Sequence, residues 1–249
     1  MAARRTALIT GASRGIGRAL AEALAGRGYD VALVARTASA LEDVAASVEA
    51  AGRRAFVRPA DVRDVDAIAA AVKDASAALE GLDVVVANAG VARGRWSGKL
   101  TYEDCADVID VNVRGAVATL LAALPGMLER GRGTLVGISS VVAYRGVPKL
   151  AAYSGSKAFL SSFLDVLRVD LRKTPVRVVD VRPGYVATDL LEGRRPPGTV
   201  DAATAARRIV RGVERGAPIV TFPWHLAALM RLLRCMPPAL YDRIAPRIA

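Results

Sequence analysis

Along this chain, unbroken apolar runs alternate with stretches in which apolar residues recur every three or four positions. The runs are TALIT (6–10), DVALVA (30–35), RAFVRP (54–59), DVVVANA (83–89), GTLVGIS (133–139), VRVVDVRP (176–183) and APIVTF (217–222). Most lack apolar–polar alternation, so they read as strands covered on both faces, as in a parallel sheet. Alanine-rich helical segments lie between them at 15–27, 38–51, 64–80, 101–129, 153–173 and 201–215. Such alternation builds βαβ units. The expected fold class is α/β, a doubly wound parallel sheet of seven strands. Ligands of such sheets sit beyond the carboxyl ends of the strands, so candidate chemistry is sought there.

With 249 residues, 53% of them hydrophobic, the chain has ample material for one core. There is no low-complexity linker, so residues 1–249 are expected to form a single domain. The formal net charge of +11 would suit a nucleic-acid partner. However, lysine occurs only at Lys73, Lys99, Lys149, Lys157 and Lys173, and the arginines are dispersed. No basic run is interleaved with aromatics, so a diffuse basic surface is expected and nucleic-acid binding is not. Cys105 and Cys235 form neither a metal-ligand pattern nor a disulfide framework, and no metal site is expected. The N-terminal MAARRTALITGAS enters a strand almost at once, so a cytoplasmic location is expected. His225 is the single histidine. It excludes an HExxH zinc site, and an acid–base group other than histidine is expected.

After the first strand stands TGASRGIG, with Gly11, Ser13, Arg14, Gly15, Ile16 and Gly17. Glycines here allow a tight turn and close approach of a pyrophosphate, which the N-terminus of the next helix attracts. After the second strand, Ala35, Arg36 and Thr37 replace the acid that many NAD-binding folds use to hold ribose hydroxyls. Arg36 and Arg14 would instead suit a 2′-phosphate. NADP(H) is therefore preferred, with NAD(H) still allowed. Asp61 and Val62 follow the third strand, where the carboxylate would take an adenine amino group or cap the next helix. Asn88, Ala89 and Gly90 follow the fourth and suit a narrow turn against a ribose. Asn112 lies in an apolar helical stretch; its amide must bond to backbone, distorting the helix, or hold a water. Ser139 and Ser140 follow the fifth strand. Pro183, Gly184, Val186 and Thr188 follow the sixth, and Thr188 could reach an amide or phosphate. Tyr153 and Lys157, four apart, share a helix face.

Taken in order, TGxxxGIG at 10–17, NAG at 88–90, Asn112, Ser140, YxxxK at 153–157 and PG at 183–184 resemble the short-chain dehydrogenase/reductases, over about residues 5–190. The resemblance implies a Rossmann-like sheet of seven strands and a catalytic tetrad at Asn112, Ser140, Tyr153 and Lys157. It implies hydride transfer between a nicotinamide and a ketone or secondary alcohol. Tyr153 would exchange the proton and Ser140 would fix the substrate oxygen. Lys157 would hold the nicotinamide ribose, and Asn112 would hold a water leading to solvent. Acid–base work near pH 7 asks for a phenol pKa lowered by about 3, roughly 4 kcal/mol, with the Lys157 ammonium as one source. A homodimer or homotetramer through 101–129 and 153–173 is also implied. A non-catalytic dinucleotide sensor of the same fold and a 3-oxoacyl carrier-protein reductase are the alternatives.

The small-molecule substrate is expected to meet residues near 91–97, 141–150 and 185–197, including Arg93, Trp96, Tyr144, Tyr185 and Leu190. Residues 190–249 would form the substrate-side and C-terminal helices. The ending PWHLAALMRLLRCMPPALYDRIAPRIA departs from carrier-protein reductases and suggests a lipophilic substrate. Leu226, Leu229, Met230, Leu233 and Met236 share one helical face, with Arg231 and Arg234 off it. Packing on the core or on a sister subunit is the expectation. A lid, or peripheral membrane contact through 224–236, is the alternative.

Overall fold

The computed structural model describes residues 4–191, 193 and 195–247. Among the described residues there are nine strands: β1 (Arg5–Thr10), β2 (Tyr29–Ala35), β3 (Ala55–Pro59), β4 (Val84–Ala87), β5 (Gly133–Ile138), β6 (Val176–Pro183), β7 (Val186–Ala187), β8 (Val200–Asp201) and β9 (Ile219–Phe222). The helices are α1 (Gly15–Ala25), α2 (Ala38–Ala50), α3 (Val65–Ala78), α4 (Tyr102–Ile109), α5 (Gly115–Glu129), α6 (Ala151–Asp170), α7 (Ala202–Glu214), α8 (Trp224–Cys235) and α9 (Pro238–Ile244). Seven strands form one parallel sheet in the order β3-β2-β1-β4-β5-β6-β9. The strand order reverses between β1 and β4, which opens a crevice beyond their carboxyl ends.

Each strand feeds two cores because successive side chains point to opposite faces. From β1, Ala7 and Ile9 join Leu20, Leu41, Val44 and Ile209 of α1, α2 and α7. Leu8 joins Ile68, Leu120, Met127, Leu160 and Leu164 of α3, α5 and α6 on the other face. All seven residues of β2 are buried, whereas the edge strands β3 and β9 are only half-covered. Full burial of each large aliphatic contributes about 1.5–3 kcal/mol.

The helical segment expected at 101–129 runs as α4, a wide π-helical turn over Asp110–Arg114, and α5. By length and hydropathy this segment would pass for a membrane span. Here it is a core helix, with Leu120 and Met127 fully buried against the sheet. Three features go beyond the sequence expectation. The two-residue ladder β7–β8 folds the chain back after the sixth strand. Pro237 and Pro238 split the C-terminal segment into α8 and α9, since proline suits only a first helical turn. And α8 turns the expected face inward, with Leu226 and Met236 packed against the cluster, except that Ala227 takes the place of Leu229. Ala227, Met230 and Leu233 are buried, while Leu229 stays 44% exposed. They pack with Val141, Tyr144, Tyr241 and Ala245 in a third apolar cluster.

Candidate active site

The glycine turn after β1 is shaped from both sides. Gly11 and Gly15 have φ of +66° and +56°, a region that favours glycine. A Cβ on Gly17 would lie 2.1 Å from the Gly11 carbonyl oxygen, so α1 can start this close to β1 only with glycine there. The Asn88 amide, from the end of β4, donates to the carbonyls of Thr10 at 2.9 Å and Gly11 at 3.2 Å. The Asn88 side chain thus ties β4 to the glycine turn across the switch point. Ala89 closes on the turn, with its Cα 2.8 Å from a Cβ built on Gly11.

The residues present fit a dinucleotide. Asp64, Thr101 and Asp201 cap α3, α4 and α7 through their side chains. By contrast, α1 begins at Arg14 with no side-chain cap and no acid in its first turn. Its first N–H groups and dipole are left for an anion, with Ser13 and Ile16 on the turn. Thr188 lies over this cradle, its Cγ2 3.1 Å from a Cβ position on Gly15. Val186 is buried beneath it in the β7–β8 ladder.

Arg36 is exposed beyond β2 and makes no hydrogen bond or ion pair among the described residues. Thr37 precedes α2 without capping it through its side chain. Arg14 pairs with Asp189 at 2.7 Å, and both are largely exposed. Asp61 does not cap α3, because Asp64 accepts from the Ala67 N–H instead. The Arg63 guanidinium grips both Asp61 oxygens and holds that carboxyl below its usual range. Val62 is buried at the start of α5, with its Cβ 2.8 Å from a Cβ position on Gly115.

Asn112 sits in the π-helical turn, fully buried. Its Oδ1 accepts from the Val91 N–H at 2.8 Å, and its Nδ2 donates to the Val91 carbonyl at 2.9 Å and to Ser156 Oγ at 3.0 Å. The helix is thus distorted around an amide that bonds to backbone of another segment. One Oδ1 lone pair remains. Across Gly90, Asn112 Oδ1 and Lys157 Nζ lie 3.4 and 3.5 Å from the same Cβ position.

Tyr153 and Lys157 occupy the first turns of α6, which carries them under β5. Lys157 is buried and donates to the Ile138 carbonyl at the end of β5 at 2.8 Å. Its ammonium stands 5.7 Å from the Tyr153 ring centre. Burial lowers the Lys157 pKa to about 8, the Asp180 charge partly opposing it. The Tyr153 ring keeps some open surface, but its surroundings raise the phenol pKa through burial, with the Ser140 hydroxyl pulling the other way. Ser140 accepts from the Val142 N–H at 3.3 Å and reaches the Pro183 carbonyl at 3.4 Å, so it spans the ends of β5 and β6. Ser139 is turned into the core, donating to Asp180 and Val181.

Among the expected substrate-lining residues, Trp96, Tyr185 and Leu190 are exposed. Arg93 is drawn to Asp107 at 2.9 Å. Tyr144 is buried. Glu192 and Arg194, within the expected 185–197 segment, lie outside the described residues, as do the chain ends. Sequence reasoning missed the network beneath the site. The Asp180 carboxylate, from mid-β6, accepts from Ser139, Ser161 and Arg182, the last at 2.7 Å. An acid inside the apolar run VRVVDVRP was the available signal. Gly184 bonds back to the Phe222 carbonyl at 2.7 Å, and a Cβ there would meet Leu226 of α8 at 2.6 Å.

The sequence profile described as short chain dehydrogenase matches residues 5–197. An uncharacterized oxidoreductase of Myxococcus xanthus is 43% identical over 246 residues, 98% of this chain and 97% of that protein. A short chain dehydrogenase of Mycobacterium paratuberculosis bound to NAD is 31% identical; its structure matches with a TM-score of 0.79 over 87% of this chain and 94% of that one. An alcohol dehydrogenase of the archaeon Thermococcus sibiricus, complexed with 5-hydroxy-NADP, is 29% identical, with a TM-score of 0.81 over 88% and 95% of the two chains.

Proposed function

Because this chain belongs to the short-chain dehydrogenase family, and is an oxidoreductase of alcohol and ketone groups, we propose that it moves a hydride between NADP(H) and a lipophilic ketone or secondary alcohol, with Tyr153 as the proton-transfer group. The observation that carries this reading is the convergence of Ser140, Tyr153, Lys157 and Asn112 beside the glycine turn.

When bound, the nicotinamide supplies the hydride. The chain's own residues do the rest. With its pKa raised by burial, Tyr153 keeps its proton at neutral pH and presents it to a carbonyl oxygen. Ser140 orients that oxygen. Lys157 spends one of its donors on the Ile138 carbonyl and has two left, for a ribose hydroxyl and a water. The remaining lone pair of Asn112 holds that water, so the proton lost by Tyr153 is replaced from solvent. Asp180, held by Ser139, Ser161 and Arg182, favours the charged form of Lys157 from below.

NADP(H) is favoured because β2 ends without a carboxylate and Arg36 is uncommitted. The exposed Arg14–Asp189 pair is weak enough for a 2′-phosphate to compete with it. Nicotinamide dinucleotides are common ground among the neighbours, one with NAD and one with an NADP derivative. For assembly, Leu121 and Leu128 of α5 and Phe159, Val166 and Val169 of α6 are exposed apolar groups. They suit pairing with a second copy, and elution as a monomer would count against it. A panel of ketones and alcohols, screened with both cofactors by absorbance of the reduced nicotinamide, tests the activity. No turnover with any member would reject the reading.

A further inference from the structure

Helix α8 is apolar on two sides. Its inner face is Ala227, Met230 and Leu233. Its outer face is also uncharged: Trp224, Ala228, Leu232 and Cys235 fall within about 80° of one another at 100° per residue, and His225 and Leu229 extend the strip. Trp224 is 78% exposed and Leu232 66%. Leu240 of α9 is also exposed. A contiguous apolar strip this exposed, flanked by arginines, calls for a covering partner. Arg231, Arg234 and Arg243 are exposed on these two helices. Asp242 is the single acid in 224–244.

We propose that the outer face of α8 and α9 lies on an anionic lipid surface. Such a surface offers both halves of the match: an acyl boundary for Trp224, Leu229, Leu232 and Leu240, and negative headgroups for Arg234 and Arg243, while Arg231 is held by Tyr144. A second copy of this chain fits less well. Two such faces brought together would oppose Arg231 and Arg234 to their own kind, with no carboxylate on α8 to answer them. The apolar strip on α5 and α6 is a separate face, free to serve self-association.

Docking here has a consequence for the site. Leu226, on the inner side of the same helix, touches Gly184 beside the Ser140–Pro183 contact. The candidate site therefore lies behind the docked helix, close to where a lipophilic ketone would be concentrated. That consequence rests on the function proposed above; the docking itself does not.

The test uses the full chain with vesicles of phosphatidylcholine alone and with added phosphatidylglycerol. Flotation with the phosphatidylglycerol vesicles is expected, weakening as salt rises, with little binding to phosphatidylcholine alone. In Trp96→Phe, which leaves Trp224 as the sole tryptophan, emission should shift to the blue on the same vesicles. Leu232→Glu should weaken binding at least tenfold while turnover of a water-soluble ketone stays unchanged. Absence of flotation and of a shift overturns the proposal. So does a Leu232→Glu protein that binds as before, or one that loses only its oligomeric state by light scattering. Vesicle binding without turnover of any ketone would strike the activity alone and leave the docking surface intact.

Discussion

The Tyr144 hydroxyl accepts from Nε and Nη2 of Arg231, 87 positions later, at 3.2 and 3.1 Å. The loop that follows Ser140 is thereby fixed to α8. From the other side the Arg182 guanidinium stands 4.8 Å from the Tyr144 ring centre. Burial alone would push this phenol up, but Arg182 and Arg231 together hold it below its ordinary value. Tyr241 adds a bond to the Gly146 carbonyl. The C-terminal helices thus act as a brace on the segment carrying Ser140, rather than a loose lid.

Removing either end of that bond should show it. A hydrogen bond to a charged group is worth about 1.5–3 kcal/mol. Tyr144→Phe and Arg231→Met should each lower the urea-unfolding free energy by about that amount, and the double variant by clearly less than the sum. Fully additive losses would mean that the two side chains are not coupled.

Tyr153→Phe removes one oxygen from a residue whose packing can otherwise persist. Turnover should fall by about 10²–10⁴ or more, with the dissociation constant for NADPH changed by no more than a few-fold. Retained turnover would reject Tyr153 as proton donor and revive the reading of a dinucleotide sensor.

Lys157 carries a pH signature. Its folded pKa of about 8 lies below the free value of 10.5, so between these values the folded chain holds fewer protons than the unfolded one. Stability should therefore rise with pH across that window, with the full penalty of the buried charge felt below about 8. Lys157→Met should flatten that rise without lowering the melting temperature at pH 7, while activity collapses. The rate of carbonyl reduction by the native protein should decline as pH climbs through about 8. A rate and a melting temperature both flat from pH 7 to 10 would contradict this.

Cofactor choice should turn on Arg36 and Asp189. Arg36→Asp should weaken NADPH by about tenfold or more and spare NADH, because a carboxylate repels a 2′-phosphate and suits ribose hydroxyls. Asp189→Asn releases Arg14 and should tighten NADPH a few-fold. Kinetics with both cofactors measure each effect, and equal changes for the two would show that neither residue meets the 2′ position.

The seven strands of the sheet were legible to within about two residues at most ends, because strands covered on both faces write themselves as continuous apolar runs. Tyr153, Lys157 and the glycine turn were legible because their spacing is short-range. What the sequence concealed depends on long-range partners. Asp180 is 41 positions from Ser139 and 19 from Ser161, which it accepts from. That α8 buries Ala227 and leaves Leu229 outside, beside the expected Met230 and Leu233, could not be read from its period, since Leu, Met and Ala all flank that face. Only Val141, Tyr144 and Tyr241, brought from elsewhere, choose among them. Likewise the enclosure that raises the Tyr153 phenol comes from packing that no local spacing records.

The clamp that Asn88 places on Thr10 and Gly11 has a last consequence. Because the two strand ends are already fastened to each other in the folded chain, the cleft is preorganised before any dinucleotide arrives. The entropic cost of shaping it is settled during folding rather than at each encounter. Capture can then proceed without a slow ordering step at the phosphate cradle. Discrimination between the two dinucleotides is left to side chains at its outer end.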